Sequence, residues 1–577
     1  MPGSMLGSLN LETARLAFRL GTRKVHSRLA RGIRRPSPIR TLVEEELAAF
    51  SRGNDGPLVG RVLLDGMWDN PNYWLRLALT RRALGTSLAT EVGLVNIHSQ
   101  AAARRTFRTL GVGRCVSWER HVLAAGKADQ IADDLLAGTR EPDDILRWRL
   151  PEDFPAGIFY DALLKRQRAP IVGIQHPRFR PDVREGVRSL CAAAAVLDAE
   201  CPDAMVMSHH IGFSFGGLFW LALRRGIPVM AIYGHHNGLR FFRPRSTEEY
   251  FDFMHYPSAC QVAALAPPLA ETLRASGADY MDRRINGSLT DIGSVYAFQR
   301  QTRNNLSRAA VAAQFGWDPA RPIIAIYTGN WFDNIHGCGM SHFRDLLDWL
   351  RATLDAVERN TQANWLLRGH PCDEWFQSVR LADIMPPLSV LHVQRAPDSW
   401  NGADVLNVAD GVVSYHSTAG LEYGARGKAV LVADRGWYHD AGFVRWARSR
   451  EEYLTLLSTK WWTGIDAARQ RAAAELFAGY FFAMRTDACR GLWRDDSEGD
   501  ALYPLIFSQL RNRPEALDAD SRLIRDWFVN GGKHLHSFIV EDSRTARLHV
   551  RLRWGDPSHS MQVIEGCAGY PGAEPHA

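Results

Sequence analysis

The strongest constraint on this chain is a rhythm: short, almost wholly apolar runs recur along it, each separated from the next by a longer stretch of helical periodicity. Arg61–Asp65, Val92–Ile97, Ala169–Ile174, Asp203–Met207 and Ile227–Ile232 form a first series. Pro322–Tyr327, Trp365–Arg368, Ser389–Val393, Val405–Val408, Gly411–Val413 and Ala429–Ala433 form a second. A strand that is apolar on both faces must be covered on both, and helices flanking a parallel sheet supply that cover. The pattern predicts an α/β protein with two Rossmann-like, doubly wound domains. At 577 residues the chain also exceeds what one hydrophobic core holds.

The expected organisation is a basic helical N-terminal segment over 1–59, a first domain over 60–300 and a second over 315–450. Crossing helices over 451–490 and an extension over 491–577 complete it. Within these, Trp68–Trp74 reads as a polar-aromatic turn before a helix at Leu75–Leu84, Arg300–Gln314 as a connecting helix and Ser341–Ala356 as a helix. Glu451–Met484 is helical in pattern, Ser537–Val540 and Ala546–Trp554 read as a hairpin, and Gly566–Ala577 as a loose tail.

A net charge of +6 is small for this length and argues against a nucleic-acid binder. The eight cysteines contain no C-x-x-C pair, which favours reduced thiols in a cytoplasm over disulfides or a zinc site. No secretory signal is expected, and the longest largely apolar run, Ile211–Leu223, is 13 residues, too short to span a bilayer. The expectation is a soluble, cytoplasmic protein. Residues 12–40 carry nine Arg/Lys against one acid, with Leu16, Phe18, Leu20, Val25 and Leu29 interleaved. That segment reads either as an amphipathic helix lying on an anionic membrane surface, peripheral to its inner face, or as a solvated basic leader.

Chemistry concentrates in two stretches. Ser414-Tyr415-His416-Ser417-Thr418-Ala419-Gly420 is a hydroxyl-rich turn that leaves a strand and opens a short helix carrying Glu422. Such a turn can hold a phosphate on backbone N–H groups. About 45 positions upstream, a strand ends in Arg368-Gly369-His370-Pro371. Ligands of open α/β sheets sit outside the carboxyl ends of the strands, so Arg368, His370 and the Ser414–Thr418 turn are expected to face one crevice. Glu422 lies one helical turn after Thr418, either sharing the face of that turn or simply solvated. Thr328–Gly337 follows the first strand of the second domain, and Asn330, Asp333 and His336 are expected to be cleft residues there. Lys428 reads as a surface residue, and Gln175-His176-Pro177, with no matching hydroxyl turn, as structural or acceptor-side.

At these residues the chain resembles the nucleotide-binding half of GT-B glycosyltransferases, and more narrowly the bacterial capsular polysaccharide synthesis family that includes CMP-Kdo transferases. The resemblance covers about residues 150–450. It implies that His370, Pro371, Ser417 and Thr418 hold the phosphate of a nucleotide-sugar donor, and that Glu422 meets the ribose. It also implies a CMP-activated ulosonic acid such as Kdo as donor, a glycan or glycolipid acceptor bound by the first domain, and no metal or other cofactor.

Glycosyl transfer needs a proton acceptor or a carboxylate near the anomeric carbon. Asp161, set among apolar residues at Gly157–Leu164, is the first candidate; His209 and His210, which end a strand, are the second. Each is alternatively a buried hydrogen-bonded group. His235-His236-Asn237-Gly238 lacks partners for a metal site. Two rival readings stay open: a polyol-phosphate transferase of the teichoic-acid type, and a non-catalytic carbohydrate-binding protein.

Overall fold

The computed structural model of the chain describes residues 56–86, 90–124, 126–233, 239–254, 267–289, 291–385, 388–415, 417–481, 514–530, 534–540 and 548–554, with positions 46, 47, 51, 265 and 511 besides. The basic stretch 12–40, His235, His236, His416 and the tail Gly566–Ala577 lie outside the described residues.

Both apolar series become sheets. The first contains β1 (Arg61–Asp65), β2 (Thr90–Val95), β3 (Arg114–Ser117), β4 (Ala204–Met207), β5 (Val229–Tyr233) and β6 (Leu239–Phe242). The second contains β7 (Ile323–Tyr327), β8 (Asn364–Arg368), β9 (Val393–Arg395), β10 (Gly411–Ser414), β11 (Ala429–Val432) and β12 (Arg445–Trp446). The expected C-terminal hairpin is present as β13 (His534–Val540) and β14 (Leu548–Trp554), and β13 pairs antiparallel with β6, so it extends the first sheet. The strand orders are β14-β13-β6-β5-β4-β1-β2-β3 and β12-β11-β10-β7-β8-β9. In each sheet the first strand lies centrally and the chain winds outward first on one side and then on the other, the doubly wound arrangement expected of GT-B proteins. The central strands β7, β8, β10 and β11 are buried along their whole length, which is why their sequences are continuously apolar.

Two expected strands are not strands, and the one expected at Ser389–Val393 is displaced to Val393–Arg395. Val405–Val408 belongs to a helix, Gly402–Val408, because the Asn401 side chain accepts from the Ala403 N–H and caps it; a four-residue apolar run has no period of its own. Ala169–Ile174 is a loop whose backbone is satisfied by side chains. The Val172 N–H donates to the Tyr160 hydroxyl at 3.3 Å and the Gly173 N–H to Gln167 Oε1 at 2.8 Å. Other elements are shorter than their sequence pattern. The connecting helix is Arg308–Phe315, started by a Ser307 cap, and the helix expected from Ser341 starts at Leu346 behind an Asp345 cap. The helical stretch after Glu451 is two helices, Arg450–Leu457 and Ala467–Phe481.

The two sheets are joined by apolar packing. One cluster of buried residues runs from Leu63, Leu94 and Met205 through Ile158, Phe159 and Leu163 to Ile324, Trp349 and Trp365. The helix Pro267–Ile285, which precedes β7, packs into the second core through Leu269, Leu273 and Met281. It crosses the helix Ala467–Phe481 at Gly277 and Gly479. A Cβ on Gly277 would lie 1.8 Å from the Glu475 carbonyl oxygen, and one on Gly479 1.9 Å from that of Leu273. Among the described residues no helix is long and apolar enough to cross a membrane; the run Ile211–Leu223 is spent on a buried turn and the helix Gly217–Arg224.

Because backbone cannot retreat from both glycines at once, Gly277→Ala should destabilise the protein by about 1–3 kcal/mol. Urea unfolding followed by tryptophan fluorescence measures this, and unchanged stability would mean that the crossing is looser than described.

Candidate active site

Strand register assembles the second-domain site. Ser414 pairs with Tyr327, and Tyr327 with Arg368, so β10, β7 and β8 end side by side at the point where the winding direction reverses. Arg368 is 8% exposed and lies with its guanidinium carbon 5.9 Å from the centre of the Tyr327 ring. Among the described residues it has no carboxylate partner. Next to it the chain turns through Gly369-His370-Pro371. The Cys372 N–H donates to His370 Nδ1 at 3.3 Å, which leaves the ring proton on Nε2. Burial lowers the His370 pKa to about 4, so at neutral pH it is a neutral donor, not a cation. Burial also raises the neighbouring Asp373 to about 7.

Asn330 leaves β7 at the same edge. Its Oδ1 accepts from the Phe332 N–H at 3.1 Å, and its buried Nδ2 has no partner among the described residues. Ser417 Oγ accepts from the Ala419 N–H at 3.2 Å, while Thr418 Oγ1 donates to Glu422 Oε1 at 3.2 Å. Ser414 is buried beneath this turn. Glu422 is 6% exposed and not solvated: Arg284 Nε donates to its Oε1 at 3.0 Å. Arg284 and Asp291 are also within electrostatic reach of Cys372, which brings the His370-Pro371 turn and Glu422 into one neighbourhood. Lys428 is neither a phosphate ligand nor a free surface residue. Its Nζ donates to the carbonyls of Leu406, Asn407 (3.2 Å) and Ala409 (2.6 Å), closing the C-terminus of the helix Gly402–Val408.

The loop Thr328–Gly337 is a clamp between domains more than an open cleft wall. Asp161, on the helix Ala156–Gln167, is 3% exposed. Its Oδ1 meets His336 Nδ1 at 2.6 Å, and its Oδ2 accepts from the backbone N–H groups of His336 (2.8 Å) and Gly337 (3.3 Å). Burial works against a charged His336, but Asp161, with Asp345 and Asp434 adding to it, outweighs burial and raises the imidazole pKa. Asp161 was expected as a base, yet both its oxygens are committed to this loop. Tyr160 adds a second tie, its hydroxyl donating to Asp345 Oδ2 at 2.8 Å, and the exposed Asp333 sits 3.5 Å from Lys165.

The first sheet has its own reversal point, between β1 and β4. There Asp65 Oδ2 accepts from the Ser208 N–H at 2.9 Å and from the Ser208 hydroxyl, and His209 Nδ1 lies 3.0 Å from Ser208 Oγ. Trp68 meets the His209 ring edge-on at 4.6 Å. His210 is buried among Phe219, Phe242 and Tyr250 and held neutral by burial, with its pKa near 3; it is a core residue. The second His-Pro pair, His176-Pro177, is an exposed turn ahead of the helix Phe179–Glu200. Asp65, Ser208 and Arg284 were missed by sequence reasoning. An acid ending the run VLLD and a serine ahead of His209 were legible signals; Arg284 had none. Among the described residues, no group of three or more His, Cys, Asp and Glu is placed to hold a metal ion.

The Asp161–His336 pair gives the clamp a pH signature. Because the folded His336 pKa is raised above 6.5, the pair's contribution is fully present below pH 6.5 and is lost as pH rises through the folded value. Asp161→Asn should cost about 1.5–3 kcal/mol at pH 6 and flatten that dependence. Urea unfolding across pH 5.5–9 is the check, the range being about one unit beyond the ordinary histidine value on its acid side; an identical slope in wild type and variant would contradict the pairing.

No protein-family model matches the chain, and no curated protein matches its sequence. Among solved structures, it is similar to the beta Kdo 2,4 transferase KpsC of Thermosulfurimonas dismutans at 15% identity, over 48% of this chain and 78% of that one, with a TM-score of 0.32. It is similar to a UDP-GlcNAc 2-epimerase from Neisseria meningitidis at 10% identity, over 72% and 98% of the two chains, with a TM-score of 0.22. A third likeness is to the wall teichoic acid polymerase TagF, at 10% identity over 88% and 100%, with a TM-score of 0.19.

Proposed function

We propose that the protein is a glycosyltransferase of the GT-B type. In this reading a sugar passes from a nucleotide-activated donor at the ends of β7, β8 and β10 to a hydroxyl of a glycan or glycolipid held by the first domain. Arg368 carries the reading. A guanidinium buried at a strand end without a carboxylate is costly by several kcal/mol, and a donor phosphate would supply the missing counter-charge. His370 Nε2–H, the unpartnered Asn330 Nδ2 and the Ser417 and Thr418 hydroxyls are the neighbouring donors, with Pro371 shaping the turn. Their work is to stabilise charge as the phosphate departs, which requires no metal. A CMP-activated ulosonic acid such as Kdo is the donor favoured by the sequence resemblance.

For the proton of the acceptor hydroxyl we assign His209. With the Ser208 hydroxyl donating to Asp65, His209 Nδ1–H donates to Ser208 Oγ, and Nε2 keeps the lone pair that a base needs. Asp161 serves instead to hold the domains in register. A surface polysaccharide acceptor would also suit the basic segment 12–40 as a dock on the inner face of the membrane. Its removal should abolish co-sedimentation with anionic vesicles in a salt-sensitive way, and equal sedimentation would dismiss that dock.

Arg368→Met and His370→Ala should each weaken nucleotide binding by about 1.5–3 kcal/mol, read by calorimetry with CMP-, CDP- and UDP-linked ligands. His209→Ala should leave that affinity unchanged and lower turnover about 100-fold or more. Undiminished affinity in both binding-site variants removes the donor site, and full turnover in His209→Ala returns the base to Asp161.

A further inference from the structure

The helix Pro267–Ile285 delivers to this site a single arginine that nothing in its local sequence marks. Arg284 is 4% exposed, and its guanidinium bonds in three directions. Nε donates to Glu422 Oε1 at 3.0 Å, Nη1 to Ser294 Oγ at 2.6 Å and Asp291 Oδ1 at 3.3 Å, and Nη2 to Thr418 Oγ1 at 3.3 Å. The partners are themselves fixed. Asp291 caps the helix Ile292–Phe298 by accepting from the Ser294 N–H at 3.0 Å, and the Phe298 ring lies 5.7 Å from the guanidinium carbon. Thr418 Oγ1 passes its own proton to Glu422 Oε1.

Both bonds that reach Glu422, from Arg284 Nε and from Thr418 Oγ1, end on the same carboxylate oxygen, Oε1. Glu422 Oε2 receives no hydrogen bond from the described residues, although the side chain is nearly buried. A buried carboxylate without an anchoring donor would rotate to find one. Anchored at Oε1, it is held in one orientation, and its second oxygen can accept only from a donor that the described residues do not supply. A phosphate has no such donor to give at neutral pH and would be repelled, whereas a sugar hydroxyl has one.

We infer that Arg284 is a positioning residue: by anchoring Oε1 of Glu422 it aims Oε2 at the ribose hydroxyls of the bound nucleotide, so that the site selects ribonucleotides over deoxyribonucleotides. The inference rests on the nucleotide-binding reading above. It separates from a purely structural role for the ion pair, because a structural defect weakens every nucleotide alike, whereas loss of positioning changes the ratio between ribo and deoxy forms.

The test is calorimetric, with CMP and UMP as probes beside their 2′-deoxy and 3′-deoxy counterparts. Wild-type protein should bind a ribonucleotide about tenfold more tightly than at least one deoxy form, the size of one hydrogen bond to a charged group. In Arg284→Met that ratio should fall to near one while residual binding persists. If Arg284→Met does not fold by thermal melt, Arg284→Gln, which keeps a donor but loses the cation, is read in the same way. A wild-type ratio retained in the folded variant overturns the inference. So does wild-type protein that binds ribo and deoxy forms equally, and the nucleotide reading then stands. Wild-type protein that binds none of the probes overturns the nucleotide reading and the inference with it.

Discussion

A strand buried on both faces can present polar chemistry only where it ends, and the site depends on that constraint. Every side chain of β7, β8 and β10 is buried, so the candidate site is crowded at the edge where these strands end. Parallel register then does the alignment: Ser414, Tyr327 and Arg368 share a line across three strands. The first sheet repeats the principle with Asp65 and Ser208 at the ends of β1 and β4.

Several buried charges tie loops to these edges. Asp161 takes two backbone N–H groups and an imidazole from the loop after β7, and Asp434, after β11, gathers the Ser341 and His342 N–H groups and the Tyr415 hydroxyl. Desolvation consumes most of what such pairs gain, so they add little net stability. Their consequence is geometric, because a satisfied carboxylate in an apolar setting has one arrangement and breaking it is costly. Stability itself comes from the continuous apolar cluster that crosses from one sheet to the other.

The strands were legible where a run was long or bounded on both sides by turn residues, as in Pro322–Tyr327 and Trp365–Arg368. They were not where a short run stood alone or was broken by proline and glycine: Val405–Val408 became a helix because Asn401 caps it, and Ala169–Ile174 became a loop because Tyr160 and Gln167 satisfy its backbone. Individual roles were harder to read than elements. Lys428 found three carbonyls across a chain reversal, and Asp161 found a loop in the other domain. A side chain's partner is a property of packing, and local pattern carries no record of it.

What the sequence determined by itself is the periodicity: two α/β series, hence two doubly wound sheets, with polar clusters at the strand ends. It also placed His370, Ser417, Thr418 and Glu422 at such ends. Tertiary structure decided which of those residues meet. The bond from Arg284 to Glu422 spans 138 positions and that from His336 to Asp161 spans 175. Distances over such separations are set by how helices cross and domains close, as at the Gly277–Gly479 crossing that seats the helix carrying Arg284. Short-range propensity reaches about one helical turn, and it ends well before contacts of that kind begin.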